Sequence, residues 1–566
     1  MKRLIPVLTA IVLIILIVGV SFGLKLKERY SYSNKSADLN TYYGLTAEDQ
    51  VAVIMANKIL DEKGILKNGK CYLPYDMVCR YFVSSRFYVN KAENSIRYVM
   101  PDRIISLNIG DSSYTDGKKK TSCDYVPAFY VNDTLYMAVD FVRLYSVFDH
   151  TLYTSPNRIQ INTSYEQQET ALISKATKVR IRGGIKSDIL TAVSEGDKVT
   201  VLEEMGKWSK IKTADSFIGY VENSALKNKS EETKQFKDST STYGSAEYTS
   251  IHKDHKINMG WHQMTGEAGN ETLASVLTDA KSLNTISPTW FYLSDNSGGI
   301  ASFASKDYVQ KAHAKGIEVW ALVDDFTGNV DDNAVLSSSA NRAALISNLM
   351  GEVKKSGLDG LNIDFEKVSE DTGPHYVEFI RELSVQCRAA KIVLSIDNYP
   401  PSGGTTWYNR AEQGVFADYI IVMGYDENNS AGNTAGSVSS ISYVENGIKD
   451  TLKSVPASKL INAVPFYTRI WQTAGTKVTS QAVGMSDAKA FIANNHISTS
   501  WDDKACQNYG EEQKDNIYYQ VWLEDATSLK AKLSVMNNYN LAGVAEWKLG
   551  LETSDVWDEL SAYVGK

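Results

Sequence analysis

At 566 residues the chain is too long for one hydrophobic core, so we expect three or four domains. Its net charge of −8 and the lack of a basic run argue against nucleic acid as a partner. The five cysteines are too sparse for a disulfide framework, and no spacing of Cys or His indicates a metal site, so we predict no metal and no cofactor. Cys71 and Cys79 are close enough in sequence to pair if an oxidant is available, which the sequence leaves open.

An apolar segment follows the basic residues Lys2 and Arg3. Residues 5–24 are uncharged and long enough to cross the hydrocarbon core of a bilayer. A cleaved signal peptide is the alternative, although no clear small-x-small cleavage site ends the segment. We therefore predict a transmembrane anchor over residues 1–24, and a short stalk over the Ser-, Tyr- and Asn-rich residues 25–45.

A weak internal repeat occupies residues 46–165. The run Tyr72-Leu-Pro-Tyr-Asp-Met-Val78 recurs as Tyr136-Met-Ala-Val-Asp-Phe-Val142, and an aromatic strand pattern follows each copy. The repeat predicts two similar β–helix–β units that pack together, because neither can bury its apolar face alone. This module resembles the copper amine oxidase N-terminal-like domain of bacterial surface proteins. Since it contains no cluster of metal ligands, we predict no copper and a role as a spacer or adhesion module.

Short strands separated by turn residues fill residues 170–227 and predict a small β-barrel. The segment resembles the bacterial SH3 domain in its Trp208 and its terminal Gly219-Tyr-Val. The resemblance implies binding to cell-wall peptide or glycan, while Trp208 itself is better interpreted as a residue of the barrel core. Residues 228–250 are rich in Lys, Glu, Ser and Thr and predict a linker.

Strand-like and helix-like segments alternate from residue 251 to the end of the chain. The predicted strands are Ile257–His262, Thr289–Leu293, Glu318–Asp324, Gly360–Glu366, Ile392–Asn398, Asp418–Tyr425, Leu460–Tyr467 and Ala542–Leu549. Eight strands alternating with amphipathic helices predict a (β/α)8 TIM barrel over 251–566. An α+β insertion is expected at about residues 470–540, between the seventh and eighth strands.

The fourth predicted strand carries an unusual row of polar residues. Asn362, Asp364 and Glu366 alternate with apolar residues, so all three project from one face of the strand. Close carboxylates cannot both ionise easily, which keeps one of them protonated near neutral pH as a general acid requires. A barrel places catalytic groups at the C-terminal ends of its strands, which is where these residues lie. The alternative is a polar strand end satisfied by neighbouring loops.

The run Asp359-Gly-Leu-Asn-Ile-Asp-Phe-Glu366 resembles the DGxDxDxE signature of glycoside hydrolase family 18, the chitinase-like enzymes. The sequence departs from that signature at Asn362, where most chitinases have aspartate, and the branch acting on spore cortex and peptidoglycan often carries this asparagine. In the family mechanism the middle aspartate, here Asp364, turns between an acidic residue on each side. With Asn362 in place of one of those acids, this movement is in doubt. The resemblance implies that Asp359 and Asn362 belong to the substrate-binding site, with Asn362 hydrogen-bonded to Asp364.

Two other strand ends carry residues that resemble family motifs. The sixth strand ends in Met423-Gly-Tyr425-Asp426, and Met423 and Tyr425 should face the same way. The resemblance to the family motif implies that Tyr425 donates a hydrogen bond to the substrate's acetamido carbonyl. It also implies that Met423 and Asp426 bind the same sugar. The eighth strand contains Trp547, which resembles the tryptophan that floors the sugar pocket.

The insertion contains paired short strands that carry Trp501, Tyr519 and Trp522, and we predict that they form a hairpin wall over the cleft. Asp525 predicts an N-cap for the helix that follows. Four polar residues that end the third and fifth strands are substrate contacts or salt-bridge partners: Asp324, Asp325, Asp397 and Asn398. Two histidines are interpreted as residues without a chemical role: His262 and His375.

The resemblance implies substrate-assisted hydrolysis with retention of configuration. Glu366 would protonate the leaving oxygen, Asp364 would orient the acetamido group and Tyr425 would hold its carbonyl. The expected substrate is an N-acetylated glycan, with cell-wall peptidoglycan favoured over chitin because of the anchor and the SH3-like domain. This function places the domains outside the cytoplasm. The alternatives are a chitinase or chitooligosaccharide hydrolase, a non-catalytic glycan-binding protein, and a scaffold that works through residues 46–227.

Overall fold

The computed structural model describes residues 5–82, 86–244 and 246–565, so Lys2 and Arg3 of the predicted anchor lie outside the described residues. The chain divides into two compact units. The first comprises residues 1–87 and 106–246, and the second comprises residues 88–105 and 247–566.

The N-terminal elements, in chain order, are α1 (Ile5–Tyr30), α2 (Leu39–Tyr43), β1 (Gln50–Met55), β2 (Lys58–Lys67), β3 (Lys70–Pro74), α3 (Tyr75–Tyr81), β4 (Tyr88–Asn90), β5 (Ser95–Val99), β6 (Ile104–Asn108), β7 (Ser113–Asp116), β8 (Lys119–Ser122), β9 (Ala128–Val131), β10 (Thr134–Ala138), α4 (Val139–Val142), β11 (Asp149–Tyr153) and β12 (Arg158–Asn162). By length and composition alone, helix α1 could cross a membrane. A signal sequence near the N-terminus would meet the same criteria. None of its residues is buried.

The predicted stalk is folded onto the first unit in its second half. Asp38 caps α2 by accepting hydrogen bonds from two backbone N–H groups of the helix. Tyr43 is 1% exposed and packs in a cluster with Ile54 and Phe217. The Ser- and Asn-rich composition of residues 25–45 was therefore misleading, because a few aromatic residues bury enough surface to hold the segment in place.

The repeat is visible as two strand–helix corners in one seven-stranded sheet of order β11-β12-β1-β2-β3-β10-β9. Strands β3 and β10 carry the repeated sequence and pair antiparallel, with Met137 opposite Leu73. Helices α3 and α4 follow them directly. The sulfur atoms of Cys71 and Cys79 are not joined in a disulfide.

The next domain is a small β-barrel of order β15-β14-β18-β17-β16-β13-β19. Its elements are β13 (Gln168–Ile173), β14 (Thr177–Arg180), β15 (Ile189–Val193), β16 (Lys198–Met205), β17 (Trp208–Lys212), β18 (Ile218–Glu222), a 3-10 turn (Asn223–Ala225) and β19 (Leu226–Glu232). Valine and isoleucine fill its core. Trp208 is half-buried on the other face of β17, over Gly183, so the interpretation of Trp208 as a core residue is wrong.

The predicted linker over 228–250 is also partly folded. Strand β19 extends to Glu232, and Arg143 donates hydrogen bonds to the carbonyl oxygens of Asp238 and Thr240, both at 2.8 Å. Tyr243 is buried and its ring lies 5.0 Å from that of Tyr145. Residues up to 246 consequently belong to the first unit.

The second unit contains a closed (β/α)8 barrel. Its elements are β20 (Ile257–His262), a 3-10 turn (Glu267–Thr272), α5 (Leu273–Val276), β21 (Thr285–Leu293), β22 (Ile300–Ser302), α6 (Lys306–His313), β23 (Glu318–Asp324), α7 (Asp332–Ser337), α8 (Ser339–Ser356), β24 (Gly360–Asp364), α9 (Gly373–Ala390), β25 (Val393–Asn398), a 3-10 turn (Gly403–Tyr408), α10 (Arg410–Phe416), β26 (Tyr419–Met423), α11 (Ile441–Thr451), a 3-10 turn (Ala457–Lys459), β27 (Leu460–Pro465), β28 (Tyr467–Ala474), β29 (Lys477–Gly484), α12 (Met485–Asn494), β30 (Thr499–Asp502), β31 (Gln507–Lys514), β32 (Ile517–Leu523), α13 (Ala526–Asn538), β33 (Gly543–Trp547) and α14 (Val556–Val564).

The barrel strands follow the order β20-β21-β23-β24-β25-β26-β27-β33 and close by parallel pairing of β33 with β20. All eight predicted strands are present, with ends that differ by up to four residues. Glu366 and Tyr425 lie two residues beyond the strands β24 and β26 in which they were predicted. The insertion runs from β28 to β32, somewhat earlier than predicted, as a five-stranded sheet with α12 on one face.

Alternation along the strands divides the packing into an outer layer and an interior. Leu361 and Ile363 point outward into the large core shared by strands and helices. Met259, Trp320 and Met423 fill the barrel interior. The polar residues of β24 share this inner side, as the period of two predicts.

A β-hairpin of β4 and β5 belongs to the barrel unit, although its sequence lies inside the repeat module predicted over 46–165. Asn90 Nδ2 donates to the carbonyl oxygen of Ser337 at 2.7 Å. Arg97 lies 3.3 Å from Glu382, which also pairs at 2.9 Å with the fully buried Arg342. The second unit is therefore completed by a hairpin that residues 106–246 separate from the rest of the unit in the chain.

Candidate active site

Asn362 lies inside the barrel and its amide is fully used by protein groups. Its Oδ1 accepts from Trp261 Nε1 at 2.9 Å and from Ser287 Oγ at 3.2 Å. Its Nδ2 donates to Ser395 Oγ at 3.1 Å and to Asp397 Oδ1 at 2.8 Å. Asn362 is 0% exposed, so it lies beneath the site, and its assignment to the substrate-binding residues stays a prediction.

The sequence predicted a hydrogen bond between Asn362 and Asp364. In the structure Asn362 donates to Asp397 instead. Side chains two residues apart on a strand are separated by about 7 Å, whereas neighbouring strands lie about 4.8 Å apart. Asn362 is paired with Ser395 of β25, which brings Asp397 within reach. Asn362 consequently positions Asp397 from within the interior layer.

Asp364 ends β24 as a buried carboxylate. It is 6% exposed, and its Oδ1 has no hydrogen-bond partner among the described residues. Burial, and then the nearby charges of Asp397 and Glu366, raise the pKa of Asp364 well above its usual value. Burial likewise raises the pKa of Asp397. An unpaired buried carboxyl is costly, so this group is suited to a ligand that donates a hydrogen bond.

Glu366 lies at the mouth of the barrel, half-buried and held by its backbone. Asp325 accepts hydrogen bonds from the backbone N–H groups of Glu366 (3.0 Å) and Lys367 (2.8 Å). Lys367 Nζ donates to the carbonyl oxygen of Asp325 at 2.8 Å. Asp325 is fully buried, so it acts as a fixed clamp on the loop after β24 rather than as a substrate contact.

Tyr399, in the loop after β25, donates its hydroxyl to Glu366 Oε2. Burial raises the pKa of Glu366, and the carboxylates of Asp325 and Asp426 add to the effect, while the Tyr399 hydrogen bond lowers it. Sequence reasoning missed Tyr399 because no pattern in its loop relates it to β24. The only feature of the sequence that pointed to Tyr399 is that it follows Asp397 and Asn398 at the end of the fifth strand.

Further acids surround the loop that holds Glu366. Burial raises the pKa of Asp324 to about 6. Burial and the charge of Asp325 raise the pKa of Asp332 to about 7. Asn398 donates to Gln413 Oε1 at 2.7 Å and is buried. Among the predicted lesser candidates, Asp325 and Asn398 thus make structural contacts, and Asp324 lies beside them at the barrel mouth.

The loop after β26 contributes Tyr425 and Asp426. Met423 and Tyr425 both pack in the barrel interior, which confirms that they face the same way. Burial raises the pKa of Tyr425 well above its usual value, and the charge of Asp364 adds to this shift. Asp426 has a left-handed backbone (φ +59°), and its Oδ1 accepts from Tyr467 Oη at 2.6 Å. The predicted residues of this motif therefore surround Asp364 and Glu366.

Trp547 ends β33 and packs edge-on against Trp261 at 5.8 Å. A cavity of about 270 Å³ adjoins it, lined also by Asp426, Tyr467 and Arg469. Nε of Arg469 is buried without a hydrogen-bond partner among the described residues. Tyr467 and Arg469 come from the first strand of the insertion, and neither was predicted.

Asp359 lies at the opposite end of β24 from Glu366, so its predicted contact with substrate is wrong. Its Oδ2 accepts from the backbone N–H of Val319 at 2.8 Å and lies 2.7 Å from His313 Nε2. Asp359 precedes the first residue of the strand and therefore faces the N-terminal end of the barrel. The carboxylate is structural because it joins two neighbouring strands and a helix.

Trp501 and Trp522 lie on opposite faces of the insertion sheet, so they do not form one wall. Trp501 pairs with Asn508, which in turn is opposite Leu523, a residue that packs against α12. Paired residues share a face, and adjacent residues such as Leu523 and Trp522 do not. Trp522 packs against Tyr509 with ring centroids 4.6 Å apart and the planes tilted by 41°, and Trp501 is 40% exposed on the other face.

Two structural interpretations from the sequence, those of Asp525 and His262, are confirmed. Asp525 caps α13 by accepting from the backbone N–H groups of Thr527 and Ser528. His262 is satisfied by Tyr308 Oη and Thr272 Oγ1, and burial lowers its pKa to about 4. His375 Nδ1 lies 2.6 Å from Tyr88 Oη in the docked hairpin. No group of three or more His, Cys, Asp or Glu is arranged to hold a metal ion within the described residues.

Comparisons with known proteins agree with this geometry. The family model described as "Glycosyl hydrolases family 18" matches residues 328–552, and that for the bacterial SH3 domain matches residues 175–227. The barrel is a family 18 glycosyl hydrolase domain. The copper amine oxidase N-terminal-like resemblance of the repeat module stays a prediction, since neither of these two models covers residues 46–165.

The Bacillus subtilis uncharacterized glycosylase YvbX is 25% identical over 289 residues, which cover 49% of this chain and 83% of YvbX. The B. subtilis cortical fragment-lytic enzyme is 25% identical over 236 residues, 40% of this chain and 54% of that protein. The chain thus spans about half the length of that second relative. A chitinase from Chromobacterium violaceum shares the fold with a TM-score of 0.50 and 20% identity, over 55% of this chain and 99% of the chitinase.

Proposed function

We propose that this protein is a membrane-anchored hydrolase, exposed outside the cytoplasm, that cleaves β-1,4 bonds next to N-acetylglucosamine in cell-wall peptidoglycan. The observation that carries the proposal is the pair formed by Asp364 and Glu366. One carboxyl is buried with an unpaired oxygen, and the other is half-buried at the barrel mouth with a raised pKa. This arrangement suits a family 18 hydrolase whose substrate supplies its own nucleophile.

Glu366 is the general acid in this mechanism. Because burial raises its pKa, a larger fraction of the carboxyl is protonated near neutral pH and can donate to the leaving glycosidic oxygen. After the leaving group departs, the same carboxylate accepts a proton from the attacking water. The clamp of Asp325 on the backbone of Glu366 fixes the carboxyl relative to the sugar.

Asp364 is too buried to attack a sugar directly. Its unpaired Oδ1 can instead accept a hydrogen bond from the acetamido N–H, which orients the acetamido oxygen towards the anomeric carbon. Tyr425 can donate its hydroxyl to that acetamido group, and Trp547 can stack on the apolar face of the pyranose. The acetamido oxygen then acts as nucleophile through an oxazolinium intermediate, and two displacements retain the anomeric configuration.

Peptidoglycan is favoured as the substrate by the domains that accompany the barrel. Helix α1 has the length of a membrane anchor, and the bacterial SH3 domain suits attachment to the wall. The cortical fragment-lytic enzyme among the relatives is named for a cell-wall substrate. Chitin or a chitooligosaccharide is the alternative substrate, favoured by the chitinase that shares the fold.

The test measures reducing ends released from purified peptidoglycan and from chitooligosaccharides by wild type and by Glu366→Gln. We expect release from peptidoglycan by wild type only, and mass analysis of the fragments then identifies the bond cleaved. Equal release by both proteins would contradict the role of Glu366. Binding without release by wild type would favour a non-catalytic glycan-binding protein, and faster release from chitooligosaccharides would favour a chitinase.

The nucleophile is tested with a substrate whose 2-acetamido group is replaced by hydroxyl. We expect that substrate to resist hydrolysis, because it lacks the attacking oxygen. Hydrolysis at the rate of the N-acetylated substrate would exclude substrate assistance.

A further inference from the structure

A crevice of about 470 Å³ opens within the first unit, between the repeat module and the SH3 domain. Strands β11 and β12 line one side of the crevice, β13, β16 and β17 line the other, and residues 234–237 form its edge. Its volume falls within the range of roughly 300–1,000 Å³ that is typical of ligand pockets. None of its lining residues belongs to the barrel, so the active site does not account for it.

The crevice is basic in a chain whose net charge is −8. Its lining includes four lysines, which are Lys198, Lys212, Lys234 and Lys237. Lys198 pairs with Glu232. Asp149 is the one carboxylate among the described lining residues, and it accepts from Tyr165 Oη at 2.7 Å and from the backbone N–H of Lys237 at 3.2 Å. Three lysines therefore remain against the single charge of Asp149, so the lining is net positive and attracts an anion.

Lys212 lies deepest among them and has two uncharged partners. Its Nζ donates to the carbonyl oxygen of Ala56 at 2.8 Å and to Asn57 Oδ1 at 2.6 Å. An ammonium group has three N–H donors, so one remains for a ligand. Burial lowers the pKa of Lys212 to about 8, and the charge of Lys234 adds to the shift. An anion placed here would stabilise the charged form of Lys212 and so oppose the lowering of its pKa.

Gln160 adds an unused acceptor to the same crevice. Its Nε2 donates to the carbonyl oxygen of Ala56 at 2.8 Å, which fixes the orientation of the amide. The side chain is 6% exposed, and its Oε1 is buried without a hydrogen-bond partner among the described residues. A buried acceptor without a hydrogen-bond partner is unfavourable, because it has lost its bonds to water. A ligand that supplies an N–H group would remove this cost.

We propose that this crevice binds a short acidic peptide. Its carboxylates pair with Lys212, Lys234 and Lys237, and a backbone N–H donates to Gln160 Oε1. A phosphodiester polymer would satisfy the lysines but has no N–H group for the glutamine. The peptide stem of peptidoglycan has the required chemistry, and that link alone rests on the proposed function.

The test is fluorescence anisotropy on the full chain in detergent micelles. The probes are a fluorescein-labelled peptide of alternating Ala and Glu and its Ala–Gln counterpart. We expect the Glu peptide to bind at least tenfold more tightly than the Gln peptide, and Lys234→Gln with Lys237→Gln to lose at least tenfold of that affinity. Both lysines lie outside the strands, so these changes leave the fold intact, which circular dichroism checks.

The matched control is Lys119→Gln with Lys120→Gln, which removes the same charge from the exposed strand β8 of the same unit. The control should bind the Glu peptide as wild type does. Equal binding of the two peptides, or equal losses in the two double variants, would overturn the proposal. So would stronger binding of a glycerol phosphate oligomer than of the Glu peptide. The probes have no glycosidic bond, so the result is independent of the hydrolysis assay on Glu366.

Discussion

The two ends of β24 carry acids from one short motif, and they have different uses. At the N-terminal end, Asp359 accepts from the N–H of Val319 and contacts His313. At the C-terminal end, Asp364 has an unpaired buried oxygen and Glu366 faces the mouth of the barrel with a raised pKa. A carboxylate whose hydrogen bonds are satisfied by the protein stabilises the fold, whereas one left unsatisfied at a strand end is available for chemistry.

The strongest test of this contrast is Glu366→Gln. We expect kcat on peptidoglycan to fall by about 1,000-fold, because the amide cannot donate and accept the proton that the mechanism transfers. The thermal unfolding midpoint should not change, since the side chain is only half-buried. A variant that retains a tenth or more of the activity would show that another group is the acid.

Asp364→Asn and Asp359→Asn make the same chemical change at the C-terminal and N-terminal ends of β24. We expect kcat/KM to fall by about 100-fold in Asp364→Asn, because a neutral amide offsets less of the positive charge that develops on the intermediate. Asp359→Asn is the matched control and should change kcat/KM by less than twofold. Similar losses in the two variants would mean that both ends of the strand serve the reaction.

The free energy of unfolding should rank the two variants in the opposite order, with the larger loss for Asp359→Asn. Asp359→Asn weakens the acceptor for the buried N–H of Val319 and for His313, so we expect the free energy of unfolding to fall by about 1–2 kcal/mol. Urea denaturation followed by tryptophan fluorescence measures this loss. Asp364→Asn replaces a buried carboxyl whose Oδ1 has no hydrogen-bond partner among the described residues, so it should leave the barrel as stable or more stable. A larger loss for Asp364→Asn would reverse our assignment of the two acids.

The smallest expected effect concerns Tyr399. Its hydrogen bond lowers the pKa of Glu366 against the effect of burial, so Tyr399→Phe should raise that pKa. Because the general acid must be protonated, activity falls as pH rises through this pKa, and the variant should move the alkaline limb of the kcat/KM profile to higher pH. The maximal rate should stay within tenfold of wild type. A limb that does not move, or that moves to lower pH, would show that Tyr399 does not tune the acid.

Much of the barrel could be predicted from the sequence because its signals are local. The predicted bounds of β20 and β23 match the structure, since each is an apolar run that ends in a polar residue. The alternation around Asn362 placed Asp364 on the inner side of the strand. The aromatic residues of the insertion were harder to place. The face that each one occupies depends on the register of the antiparallel strands, which the prediction of a wall containing Trp501 and Trp522 did not specify.

The amino-acid pattern alone established which strands form, which of their faces are polar and which family the barrel belongs to. These properties depend on periods of two and on spacings within a few residues. Only the folded chain decided which carboxylates are satisfied, that Tyr399 reaches Glu366, that Tyr467 and Arg469 adjoin Trp547, and that a distant hairpin completes the barrel unit. Those contacts join residues far apart in sequence, and a carboxylate's proton affinity depends on burial and neighbours that arise only when they meet.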